Sequence, residues 1–97
     1  MDAVLDTGFT GYLLLPPDLV TALGLPFRNA NKARLADGSI VEMQLYEGTV
    51  LWDGRERAAL VYAAEGDSLI GMSLLYGNNV SLDVVDGGPV RISTLTT

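Results

Sequence analysis

Asp-Gly is the sequence's strongest structural signal. It occurs at Asp37-Gly38, at Asp53-Gly54 and again in Asp86-Gly87-Gly88. Asp-Gly between alternating runs favours tight hairpin turns, because both central residues tolerate positive φ. The turns divide the 97 residues into short apolar stretches, which favours an all-β chain over a helical one. Strands are expected over 2–6 and 11–15. A hairpin over 33–52 has its tip at Asp37-Gly38, with Val41, Met43 and Leu45 on one face of its second arm. A strand over 57–63 follows the Asp53-Gly54 turn. Another ends at Gly71 and leads into about one helical turn that buries Met72, Leu74 and Leu75. The closing hairpin turns at Asp86, Gly87 and Gly88. One stretch breaks the pattern. In Leu15-Pro16-Pro17-Asp18-Leu19-Val20-Thr21-Ala22-Leu23-Gly24-Leu25 the prolines suit a helix start, Asp18 suits its first turn and Gly24 its stop. Its buried stripe is read as Leu19, Val20 and Leu23.

What is missing narrows the chemistry. There is no histidine and no cysteine. Ser–His–Asp and Cys–His catalysis, His or Cys zinc sites, disulfides and thiol redox are therefore excluded. A single lysine, Lys32, makes a Ser–Lys dyad a poor candidate. The net charge is −6 with six scattered basic residues, so no basic nucleic-acid footprint exists. No apolar run reaches the ~20 residues of a membrane span. One domain over 1–97, cytoplasmic and without cofactor or metal, is the expectation. Any catalysis must come from carboxylates and hydroxyls. Asp83 and Asp86 read as strand and turn residues and Glu65-Gly66-Asp67 as a loop, none with metal-ligand spacing.

Asp6 stands out against this background. An acid at the end of an apolar strand costs free energy unless something compensates it. It is followed by Thr7, Gly8, Phe9 and Thr10, and the Val4-Leu5-Asp6-Thr7-Gly8 pattern is answered 65 residues later by Leu69-Ile70-Gly71 and a short helix. Taken alone the tripeptide reads equally well as a turn. In this order, with the long Asp-Gly-tipped hairpin between and a C-terminal strand after, residues 3–93 resemble the retropepsin-like aspartic proteases. The helix after the first motif places the resemblance nearer their bacterial and eukaryotic branch than the viral one.

The resemblance implies a closed β-barrel with one or two short helices that works as a homodimer. Each subunit supplies half of an aspartic endopeptidase site. Two copies of Asp6 share a proton across a two-fold axis; one activates a water and the other protonates the peptide carbonyl. Asp6, Thr7 and Gly8 are the implied catalytic loop, with Thr7 bonding across the dimer and Gly8 letting the substrate backbone approach. Ala36, Asp37, Gly38 and Ser39 are the implied flap. Phe9, Thr10 and Ile70 would contact the peptide or protein substrate, and Leu69 and Gly71 would support the Asp6 loop.

The sequence departs from the viral pattern in several places. The viral acid–arginine pair falls on Thr10 and Met72, so both charges are absent together. Phe9 replaces a usually small residue, which narrows the expected subsites. The hairpin that precedes the viral catalytic strand has no counterpart in Met1 to Leu5; the expectation is either a truncated start or a partner that supplies those strands. These departures motivate an alternative: a retropepsin-like peptide-binding or dimerisation module without catalysis. An intrachain carboxylate-pair hydrolase would need a second acid near Asp6, and the sequence names none.

Overall fold

A computed structural model describes residues 3–34 and 37–95. In chain order the elements are β1 (Val4–Leu5), β2 (Leu13–Leu15), α1 (Pro17–Leu23), β3 (Phe27–Arg34), β4 (Ile40–Trp52), β5 (Arg55–Ala63), β6 (Leu69–Ile70), α2 (Met72–Leu75), β7 (Asn78–Leu82) and β8 (Val90–Thr94). The described chain is thus mostly β, with two short helices. No helix among the described residues is long and apolar enough to cross a membrane.

The first six strands to form a sheet do so in the order β1-β6-β2-β5-β4-β3, while β7 and β8 pair only with each other. The expected barrel closure is not found among the described residues. The sheet has two edges, β1 and β3, and β1 is only two residues long, too short to carry a seam. The strand expected over 2–6 is therefore shorter than read. β2 likewise begins at Leu13, because Gly11 and Tyr12 belong to the preceding loop.

β4 and β5 are joined by the Asp53-Gly54 turn, with φ of 52° and 74°. Positive φ at both residues is what a type I′ turn requires. β4 changes its buried side midway. Val41, Met43 and Leu45 face one way, then Tyr46, Val50 and Trp52 pack on the main core. The switch lies opposite a register shift between Phe27 and Asn29 of β3, which a bulge accommodates. The first arm of this hairpin starts at Phe27, six residues before the expected Ala33.

The main core joins Leu13 and Leu15 of β2, Ala59 and Val61 of β5, Val20 of α1 and Leu74 of α2. α1 starts at Pro17 behind Pro16, and Gly24 ends it in the left-handed region at φ 64°. Leu23, read as part of its buried stripe, is exposed, and so is Met72 of α2. Both helices are too short to turn more than one narrow face inward: Val20 takes it in α1, Leu74 and Leu75 in α2.

Candidate functional site

β6 lies between β1 and β2, although those two strands are consecutive in sequence. It runs parallel to β1 (Leu5 beside Ile70) and antiparallel to β2 (Leu13 beside Ile70). The 6–12 loop joining β1 to β2 must therefore arch over the end of β6. Backbone hydrogen bonds clasp the two together. The N–H of Asp6 donates to the carbonyl of Ile70 at 2.9 Å, Gly71 N–H to Tyr12 at 3.0 Å, Met72 N–H to Phe9 at 2.8 Å and Ser73 N–H to Gly11 at 3.1 Å. The Ser73 hydroxyl donates to the carbonyl of Thr10. Leu69, Ile70 and Gly71 thus lie against the Asp6 loop.

Asp6 is half-buried and Thr7 and Gly8 are exposed. The Gly8 N–H donates to Asp6 Oδ1 at 2.9 Å, and the Phe9 N–H closes a turn onto the Asp6 carbonyl at 3.1 Å. One carboxylate oxygen is therefore oriented by the loop's own backbone. Phe9 meets Tyr62 edge-on, with centroids 6.1 Å apart at 68°. This bulky ring is accommodated because Gly11 and Gly71 leave it room: a Cβ at Gly11 would lie 2.6 Å from the Phe9 ring, and one at Gly71 2.5 Å from it.

Beside the loop opens a cleft of about 530 Å³. Gly8, Phe9 and Thr10 line one side; Leu60 and Tyr62 of β5 and Met43 of β4 line it further out, with Lys32 and Arg34 of β3. No acidic residue is in its lining, and Asp6 itself is not part of it. A larger cleft of about 870 Å³ lies between the α1–β3 connection and β4–β5, but Tyr12 is its only residue from the 6–12 loop. The chemistry-bearing loop therefore singles out the smaller one.

The remaining predicted residues are dispersed. Ile70 packs against the core and lines neither cleft. Asp37, Gly38 and Ser39 form the exposed tip of the β3–β4 hairpin, whose body borders the cleft while the tip does not line it. Ala36 falls outside the described residues. At the tip the Ser39 hydroxyl (2.6 Å) and then its N–H (2.9 Å) bond Asp37 Oδ1, and this holds the carboxyl below the usual aspartate range. The tip is thus a self-bonded turn. Among the described residues no group of three or more acids is placed to hold a metal ion.

Sequence reading missed Arg57. Its guanidinium donates to the carbonyls of Leu74 (2.9 Å) and Ser73 (3.3 Å) and stands 5.8 Å over the Tyr12 ring. It thereby caps the C-terminal end of α2, the helix whose other end carries the Asp6 loop. Thr10 and Met72 carry no charge, and an arginine from β5 and the Ser73 hydroxyl tie α2 in place. Nothing local marks Arg57, because both partners are backbone carbonyls 16 and 17 residues away. Arg57→Met keeps the stem and removes these bonds. It should lower unfolding free energy in urea by about 1–3 kcal/mol, the value of part-buried hydrogen bonds to a charged group.

Comparison with family models, curated proteins and solved structures finds no match for this chain.

Proposed function

We propose that this chain is one half of a retropepsin-like aspartic endopeptidase, completed by a second copy. The observation that carries this reading is the clasp between the Asp6-Thr7-Gly8 loop and Leu69-Ile70-Gly71, beside a cleft that holds no acid of its own. A single oriented carboxylate gives one proton-transfer group, and peptide hydrolysis by this chemistry needs two. A two-fold pairing that brings two copies of Asp6 together supplies the second. The peptide lies extended across the Asp6 loop and runs from there into the neighbouring cleft, beside the β3–β4 hairpin.

The test is cleavage of a diverse peptide pool between about pH 4 and 7 at increasing protein concentration. Cleavage that rises more steeply than linearly at low concentration is expected of a site built from two halves. Activity strictly proportional to concentration from a monomer would refute the two-copy site.

A second reading, a peptide-binding or dimerisation module without catalysis, is favoured by one feature. Asp6 Oδ1 is already satisfied by Gly8, as in an ordinary turn. Peptide binding without cleavage at any protein concentration would select it.

A further inference from the structure

Another cleft, of about 620 Å³, opens where the start of β5 meets the connection from α2 to β7. No residue of the 6–12 loop lines it, but two arginines do. Arg55 stands opposite Trp52 and Arg57 opposite Val50 in the β4–β5 register, so all four side chains share one face of the hairpin. Trp52 and Val50 pack on the main core, which makes that face the inner one. Neither arginine is in an ion pair among the described residues. Arg57 gives two N–H groups to the carbonyls of Leu74 and Ser73, and a guanidinium has five. Two acids also line the cleft. Glu56 stands opposite Leu51, on the outer face, and Asp53 accepts the Thr94 hydroxyl at 2.7 Å. The formal charge of the lining is therefore balanced, and an anion is held here by directed N–H donors rather than by a net field. Aromatic rings complete the lining: Trp52 is half-buried, and Tyr76, at 84% exposure, is the most exposed aromatic of the chain.

We infer that this cleft binds a small ligand in which an oxyanion is attached to an aromatic ring. Arg55 and the remaining N–H groups of Arg57 hold the oxyanion, and the ring lies against Trp52 and Tyr76. Residues two apart on one strand face stand about 7 Å apart at their Cα atoms, a gap that two long guanidinium side chains close around one carboxylate or phosphate. Aromatic contact adds to the binding, and guanidinium groups stack on flat rings as well as pairing with anions. The site is separate from Asp6, so it goes beyond the protease reading and stands or falls without it.

Trp52 is the chain's single tryptophan and lines the cleft, so its fluorescence reports on binding. The probes are phenyl phosphate and benzoate, with inorganic phosphate and acetate as ring-free controls and benzyl alcohol as the uncharged one. Each is titrated into the whole chain by fluorescence and by calorimetry. Phenyl phosphate or benzoate should bind saturably below about 10 mM, and about 3–10-fold tighter than its ring-free control or benzyl alcohol. The tighter of the two names the oxyanion as phosphate or carboxylate. Arg55→Glu should weaken this binding at least about 10-fold, because it sets a like charge against the anion. Tyr76→Ala should remove most of the ring's advantage. Both positions are exposed, so these variants should keep the wild-type melting temperature. Asp6→Asn should bind as the wild type does. The inference is overturned if neither aromatic anion binds saturably, if the ring-free controls bind as tightly, or if Arg55→Glu leaves binding unchanged. Binding lost in Asp6→Asn would place the ligand at the 6–12 loop and overturn it as well.

Discussion

Asp6→Asn should reduce peptide cleavage by at least about 10³-fold while leaving the melting temperature almost unchanged. The two halves of this expectation have separate physical origins. Asn keeps a carbonyl oxygen at the place of Oδ1, so the 2.9 Å bond from the Gly8 N–H survives and the loop keeps its turn. The backbone clasp from Asp6 N–H to Ile70 is untouched by any side-chain change. What Asn lacks is the ability to take up and release a proton at neutral pH. Loss of a positioned acid or base costs about 10²–10⁴ in rate, and in a two-copy site one substitution removes both. A further outcome follows from the symmetry. When equal amounts of wild-type and Asp6→Asn chains exchange freely, only about a quarter of the pairs carry two carboxylates. The mixture should therefore work at about half the rate of its wild-type content alone. Cleavage retained by Asp6→Asn would remove Asp6 from the chemistry altogether.

The elements were legible in the sequence where local chemistry decides them. Asp53-Gly54 turns where it does because those two residues accept positive φ at little cost, and Gly24 stops α1 for the same reason. The period-two run of Val41, Met43 and Leu45 is visible as a pattern and is preserved in β4. What was not legible depends on residues distant in sequence. The change of buried side after Leu45 is set by the bulge near Phe27 across the ladder. Leu23 and Met72 carry the right side chains at helical spacing, yet helices of seven and four residues have no wide face to bury. The site divides in the same way. Asp6 and Gly71 announce themselves as motif residues, whereas Arg57 acts on carbonyls, which no residue type betrays.

Gly71→Ala should cost about 3 kcal/mol or more of unfolding free energy, lowering the melting temperature by roughly 12 °C or more. Two effects oppose each other here, and their magnitudes decide the sign. Gly71 has φ −102° and ψ 176°, a conformation any residue adopts. On backbone entropy alone, alanine should stabilise by about 0.4–1 kcal/mol. A Cβ at this position, however, would fall against the carbonyl oxygens of Gly11 and Phe9 and the Phe9 ring. The first two are backbone atoms in the 6–12 loop, which already holds hydrogen bonds from Gly71, Met72 and Ser73. The loop cannot step back without surrendering those bonds, each worth about 1 kcal/mol net. Steric conflict plus two or three lost bonds outweighs the entropic gain several-fold. Gly24→Ala is the control with reversed causes. Its φ of 64° is unfavourable for alanine, yet nothing lies within 4 Å of the added carbon. Its cost should stay near 1 kcal/mol, the preference for glycine in the left-handed region. Equilibrium urea unfolding of the two variants separates the causes. If Gly71→Ala were no worse than Gly24→Ala, the loop would not be clasped over β6, and the support of Asp6 by Leu69-Ile70-Gly71 would fall with it.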